Sequence, residues 1–240
     1  EVLAVHKGLF LGEKGHLDRL AHSLAALSID WPMERKPLLI VLREVVRRNR
    51  VKDGLLYLQI TRGVAPRNHS FPAVCVPSLV VTTVKRPPIN KAALLAGVDV
   101  ISLPDIRWKR CDIKSISLLP NVLGKQQAAK VGAQEAWQVD DDGLVTEGMA
   151  ANAWIVTKDG ELVTRNISES ILNGITRLAI IEAARQQDIP IVERPFTMAE
   201  AMEAREAFIS SSNAHVKAVT RIDGQSIGNG HAGALTTRLL

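Results

Sequence analysis

Arg107-Trp108-Lys109-Arg110-Cys111-Asp112-Ile113-Lys114-Ser115 is the stretch on which the reading of this chain turns. It follows an apolar, β-branched run, Val98 to Ser102, that reads as a strand. It precedes Ser117 to Lys130, which reads as a helix with Pro120 tolerable in its first turn. Lys114 therefore sits on a strand-to-helix connection. The cations at 107, 109 and 110 would lower the pKa of its amine if they were also close in space. Taken alone, such a lysine is an ordinary surface cation.

Downstream, three hairpin-like turns (Asp141-Asp142-Gly143, Lys158-Asp159-Gly160 and Asp223-Gly224) lie among short alternating runs. The runs predict strands over Glu135 to Val139, Leu144 to Glu147, Asn152 to Thr157 and Ala207 to Ser210, with a helix from Ile175 to Gln187 after Gly174. Upstream, Val2 to Val5 reads as a strand. His16 to Leu27 reads as a helix with Leu17, Leu20, Leu24 and Leu27 on one face. A second helix is expected over Lys36 to Asn49, and strands over Leu55 to Arg62 and Val74 to Val84. Pro77 makes the last of these an edge or bulged strand. Arg86-Pro87-Pro88-Ile89-Asn90 is the one stretch that looks like a linker. The expected organisation is mixed α/β (α+β) in two domains: a smaller N-terminal α/β domain, 1–88, and a larger domain, 89–240, richer in antiparallel strand. The opening Glu1-Val2-Leu3-Ala4-Val5 reads as a strand entered midway, so a further natural N-terminal strand is expected before it.

Composition removes several classes of function. Of the 240 residues, 46% are apolar and 23% charged, the balance of a globular protein, and no run approaches the ~20 apolar residues of a membrane helix. No signal peptide is visible, and Cys75 and Cys111 fit a reducing compartment, so a cytoplasmic location is expected. Neither cysteine has metal-ligand spacing, and no metal is expected; Cys75, between Val74 and Val76, reads as a small core residue. The net charge of +5 is concentrated between Arg35 and Lys52. There Leu38, Val41, Leu42, Val45 and Val46 recur at helical spacing and leave Arg35, Arg43, Arg47 and Arg50 as a solvated face. With only Trp31 nearby to stack a base, nucleic-acid binding is not expected.

Four further places carry chemistry. Glu147-Gly148 closes a strand, where a carboxylate is ordinarily a hairpin-edge acid. Gly174-Ile175-Thr176 opens a helix, and its free N–H groups with the Thr176 hydroxyl suit a phosphate dianion. Ser211-Ser212-Asn213 offers hydroxyl and amide donors after a strand, though most such clusters are turns. Arg19 stands beside Asp18, its default partner in a structural salt bridge.

Their order and wording along the chain change their meaning. The stretches are His16-Leu17-Asp18-Arg19-Leu20, Ile60-Thr61-Arg62-Gly63 through Pro66-Arg67-Asn68-His69-Ser70-Phe71-Pro72, and Arg107-Trp108 with Arg110 to Ser115. After them come Val145-Thr146-Glu147-Gly148 with Asn152, Leu172-Asn173-Gly174-Ile175-Thr176-Arg177, and Phe208 to Ser212. Together they resemble the fold-type IV aminotransferases that use pyridoxal 5'-phosphate, and within them those acting on D-amino acids. The resemblance spans essentially the whole chain. It implies that Lys114 is the Schiff-base lysine and Glu147 the partner of the pyridine nitrogen. Arg19, Ile175, Thr176, Ser211 and Ser212 would hold the phosphate, and Leu172 would pack on the ring. Arg67 and His69, in a Pro-Arg-x-His arrangement, would trap the substrate carboxylate from the other subunit of a homodimer. The implied reaction is transamination between a D-alanine-like amino acid and a 2-oxo acid such as 2-oxoglutarate. A branched-chain L-amino acid aminotransferase, an aminodeoxychorismate lyase and a non-catalytic binding protein on the same scaffold are the competing readings. The chain departs from the pattern at Met149-Ala150-Ala151, where serines are usual, and at Asn213 and His215. A tyrosine just before Glu1 would complete the carboxylate trap.

Overall fold

The computed structural model describes residues 1–240, which divide into two compact units, Glu1–Ile89 and Asn90–Leu240. In the first, β1 (Val2–His6), β2 (Leu9–Phe10), α1 (Glu13–Ala26), α2 (Arg35–Arg48), β3 (Gly54–Thr61) and β4 (Ser78–Lys85) follow in order. The strands form an antiparallel sheet in the order β2-β1-β3-β4. Leu17, Leu20 and Leu24 of α1 and Leu38, Leu42 and Val46 of α2 pack with Leu3, Val5, Leu56 and Leu58 of the sheet into one core. The basic face of α2 is solvated as its spacing predicts. Arg43 pairs with Glu13, and Arg47 and Arg48 with Glu44, whose carboxyl they hold at about 2. Pro77 lies just outside β4, which is an edge strand and begins later than the apolar run does. Val74 and Val76 are exposed and Cys75 only half-buried, so Cys75 is not the core residue its neighbours imply. The apolar run continues past the strand because it belongs to a loop.

The second unit contains α3 (Lys91–Leu95), β5 (Val98–Pro104), α4 (Leu119–Lys130), β6 (Glu135–Val139), β7 (Val145–Gly148) and β8 (Asn152–Val156). There follow β9 (Leu162–Thr164), α5 (Ile175–Gln186), β10 (Ile191–Glu193), α6 (Met198–Glu203), β11 (Glu206–Ser211), β12 (His215–Ile222), β13 (Gln225–Ser226) and α7 (Ala234–Leu239). Its sheet runs β10-β9-β8-β11-β12-β5-β6-β7, with β13 hydrogen-bonded to β12. The β12-β5, β5-β6 and β9-β10 pairs are parallel and the others antiparallel, so the sheet is mixed. β7 ends the strand order, yet only Met149 to Ala151 separate it from β8, and the Gly148 N–H donates to the Ala151 carbonyl at 2.7 Å. The sheet therefore curls until its β7 edge meets β8.

Alternation along the strands builds a core on each face. Ala153, Ile155, Ala207 and Ile209 join Trp137, Val145 and Phe196 on one side. Trp154, Val156 and Phe208 face Ile180, Ile181 and Ala184 of α5 and Leu235 of α7 on the other. The Trp154 and Phe208 rings stack 5.3 Å apart. α7 is tied down by Glu206, a buried carboxylate accepting from the Leu235 and Thr236 N–H groups and the Thr236 hydroxyl. Three turn glycines, Gly143, Gly160 and Gly224, adopt the positive φ that their hairpin turns require.

Candidate active site

Glu147 is the centre of the constellation in the second unit. It lies on β7 with its side chain almost fully buried. Burial pushes its carboxyl up, and the net shift stays upward although Arg107, the Leu172 N–H and Lys114 favour the ionised form. One oxygen, Oε1, accepts from Arg107 Nη1 at 2.5 Å and from the Leu172 N–H at 3.1 Å. The other, Oε2, accepts from Asn152 Nδ2 at 3.0 Å. A carboxylate offers about four acceptor positions, so Oε2 keeps one for a further donor. Lys114 is near enough for its charge to favour the carboxylate form.

Asn152 links the parts. Its amide also donates to the Leu172 carbonyl at 2.9 Å, so one side chain holds both Glu147 and the segment leading to α5. At Gly174 any Cβ would fall on the Asn152 side-chain oxygen, so the start of α5 can approach β8 only because residue 174 has no side chain. Arg177, fully buried in the first turn of α5, donates from Nη2 to the Arg165 carbonyl at 2.8 Å and to Glu193 at 2.7 Å. That pins the helix N-terminus, with Ile175 and Thr176, to the ends of β9 and β10. Ser210 registers with Asn152 across the β8-β11 pair, which brings Ser211 and Ser212 to the same end of the sheet. The Ser211 hydroxyl accepts from the Ala214 N–H at 3.0 Å and retains its own proton to donate.

The loop carrying Lys114 is stitched to the segment before Leu172. The Cys111 N–H donates to the Glu169 carbonyl at 2.8 Å, and Arg107 Nη2 to the Ser170 carbonyl at 3.0 Å. Cys111 itself is half-buried, its thiol pushed up to about 11 chiefly by burial. Two of the three cations expected around the amine are committed elsewhere. Arg110 pairs with Asp112, and Arg107 with Asp105 and Glu147. Sequence reasoning missed this use of Arg107, the presence of Asp105 and the bridging part of Asn152. The Asp105-Ile106-Arg107 spacing is a signal that could have found the first two.

In the first unit, Arg19 is paired differently from its sequence neighbourhood. Asp18 binds Lys14 and Arg35, each at 2.7 Å. Arg19 instead forks onto Glu1, with Nε at 3.0 Å and Nη2 at 2.8 Å, and His16 Nδ1 approaches the same carboxylate at 2.8 Å. The Glu1 carboxylate is buried, which alone would raise its pKa, but His16 and Arg19 hold it well below the usual range. Arg67 and His69 stand exposed on the loop after β3. That loop leaves the strand at Gly63, whose φ of +110° and close approach to the Val76 carbonyl demand glycine. The Arg62 guanidinium lies 3.6 Å from the centroid of the Phe71 ring and braces the loop from inside. At the departures from the pattern, Met149 is a buried plug, its chain against Gly124 of α4 and its N–H bonded to Ala136 and Glu135.

A curled mixed sheet with a buried carboxylate, a nearby loop lysine and a helix N-terminus at one end is the arrangement expected from the resemblance to the fold-type IV aminotransferases. The model of the family "Amino-transferase class IV" matches residues 1–222, and the chain belongs to that family. The D-alanine aminotransferase of Staphylococcus epidermidis is 38% identical over 239 residues, covering 100% of this chain and 84% of that protein. The D-alanine aminotransferase of Bacillus licheniformis is 40% identical over 238 residues, covering 98% and 82%. In fold, the chain is similar to the branched-chain amino acid aminotransferase of Escherichia coli. That likeness has a TM-score of 0.91 at 24% identity and covers 100% of this chain and 82% of the other.

Gly174→Ala should lower stability by about 1–3 kcal/mol, because the new methyl group overpacks a site whose neighbour is held by two hydrogen bonds. In an Asn152→Ala background the same change should cost clearly less, a coupling read by a double-mutant cycle of unfolding free energies. Equal costs in both backgrounds would show that the two residues do not constrain each other.

Proposed function

We propose that this chain transfers the amino group between a D-alanine-like amino acid and a 2-oxo acid such as 2-oxoglutarate, using pyridoxal 5'-phosphate held on Lys114. The observation that carries the proposal is the buried Glu147 carboxylate, close to Lys114, with one acceptor position left on Oε2 for an N–H donor. The donor set fits the cofactor: a primary amine, a carboxylate for a ring nitrogen, and helix N–H groups and hydroxyls for a phosphate. Lys114 would hold the aldehyde carbon and Glu147 the ring nitrogen. Leu172 would wall the ring, and Gly174, Ile175, Thr176, Ser211, Ser212 and Arg19 would hold the phosphate. When bound, the cofactor supplies an electron sink for negative charge at the substrate Cα.

The protein's own part is proton movement and orientation. The Lys114 amine would take the proton from the substrate Cα and return one as general acid. Glu147, whose ionised form Arg107 and the Leu172 and Asn152 donors favour against the upward push of burial, would hold the proton on the ring nitrogen. The Arg67 guanidinium would grip the substrate carboxylate through both oxygens, with His69 as a second donor. Fixing that carboxylate leaves one enantiomer with its α-hydrogen toward Lys114.

The preference for D-substrates is supported by the Pro66-Arg67-Asn68-His69 arrangement and by the two D-alanine aminotransferases at 38% and 40% identity. A homodimer is part of the proposal. Val64, Phe71, Val74 and Val76 on the Arg67 loop, and Leu119, Val122 and Leu123 on α4, are exposed apolar side chains of the kind a second copy would cover. The proposed location is the cytoplasm; no helix is long and apolar enough to cross a membrane.

The enzyme with added cofactor should convert D-alanine and 2-oxoglutarate to pyruvate and glutamate at least a hundredfold faster than it uses L-leucine, as read by coupled keto-acid assays. Faster turnover of L-leucine would replace the proposal with the branched-chain reading.

Arg67→Ala should raise KM for D-alanine by an amount corresponding to roughly 2–5 kcal/mol, while cofactor absorbance stays normal. Mixing Lys114→Ala subunits with Arg67→Ala subunits should regain activity, because each heterodimer has one site with both residues intact. If subunit exchange is verified and activity does not return, Arg67 does not act across the dimer.

A further inference from the structure

The cluster around Glu147 holds more negative charge than the cofactor-nitrogen role alone calls for. Arg107 presents its fork to Asp105, Nε to Oδ1 at 3.0 Å and Nη2 to Oδ2 at 2.7 Å, and reaches Glu147 with Nη1 alone. All three side chains are nearly buried, with 11%, 7% and 8% exposure for Asp105, Arg107 and Glu147. Asp105 is fixed in turn. Its N–H donates to the Val139 carbonyl at 2.7 Å, and its Oδ2 accepts from the Thr146 hydroxyl at 2.8 Å, one residue before Glu147 on β7. Arg107 Nη2 also donates to Thr146 Oγ1 at 3.2 Å and to the Ser170 carbonyl at 3.0 Å.

Two carboxylates thus share one guanidinium, so Asp105, Arg107 and Glu147 with both carboxyls ionised carry a net charge of minus one, and Lys114 is a further cation outside the three. If Arg107 faced Glu147 alone, the pair would be neutral, and a cation arriving at Glu147 would leave uncompensated positive charge in a low-dielectric site. With Asp105 present, the same cation brings these three side chains to neutrality. We infer that Asp105 is a positioning residue that divides the charge of Arg107 and so makes Glu147 a partner for a protonated, rather than a neutral, ring nitrogen. It acts through Arg107 and does not touch the ring. The surrounding charges are consistent with this division. Lys114 is the other cation acting on Glu147, and Arg110 is committed to Asp112.

The inference rests on the reading of Glu147 given above, and the test separates the two. Binding to the apoprotein is measured for pyridoxal 5'-phosphate and for its 1-deaza analogue, which has carbon in place of the ring nitrogen. The wild-type protein should prefer the natural cofactor. Asp105→Asn, which keeps the shape and removes the charge, should narrow that preference at least tenfold with little change in the affinity for the deaza analogue. Asp105→Glu should keep most of it. If Asp105→Asn does not fold, Asp105→Ser carries the same expectation. A wild-type protein without preference would overturn the role of Glu147. A wild-type preference that persists undiminished in the Asn or Ser variant would overturn the role of Asp105 alone.

Discussion

A carboxylate buried in the wall of a curled sheet is costly unless its oxygens are bonded, and the rest of the second unit answers that constraint. Glu147 accepts from a guanidinium, a backbone N–H and a side-chain amide, and each donor comes from a different segment. Arg107 comes from the connection after β5, Leu172 from the segment before α5, and Asn152 from the start of β8. Satisfying one buried group therefore draws together the loop carrying Lys114, the segment of Leu172 and the helix N-terminus. The same donors that make the carboxylate tolerable also assemble the candidate site.

The curl of the sheet is the scaffold for this arrangement. β7 and β8 are at opposite sides of the strand order, and the short connection through Met149 closes them on each other. Glu147 and Asn152 stand on either side of that connection, five residues apart in sequence and 3.0 Å apart at their polar atoms. Met149 and Ala151 are buried at positions where the sequence departs from the pattern it otherwise resembles. The connection is thereby anchored through packing and backbone bonds to Glu135 and Ala136.

Much of this was legible in the sequence, and the reasons are local. Leucine spacing found α1, basic and apolar alternation found α2, and turn glycines found the hairpins after β6, β8 and β12. The long strand β12 was not found, because it lies between β11 and β5 with both Ala218 and Val219 buried, which removes the alternation a half-buried strand shows. β9 and β10, three residues each, are too short to leave a pattern. In the candidate site, residues that would touch a ligand were visible through motif wording. Those that hold such residues in place were not. Asp105 and Asn152 act through contacts 41 and 5 residues away in sequence, and only the folded sheet brings the partners together. For Arg19, which the resemblance makes a phosphate ligand, adjacency alone suggests Asp18 as the ordinary ion-pair partner, whereas neighbours one apart on a helix point in different directions and the buried partner is Glu1.

The central claim is that Lys114 is the lysine that holds the cofactor, with the Glu147 constellation built around it. The direct measurement is to load the protein with pyridoxal 5'-phosphate, reduce the linkage with borohydride, and map the modified peptide by mass spectrometry. The account predicts a single modified site at Lys114, in the peptide that follows Arg110. Modification confined to another lysine, such as Lys109 or Lys125, would contradict it.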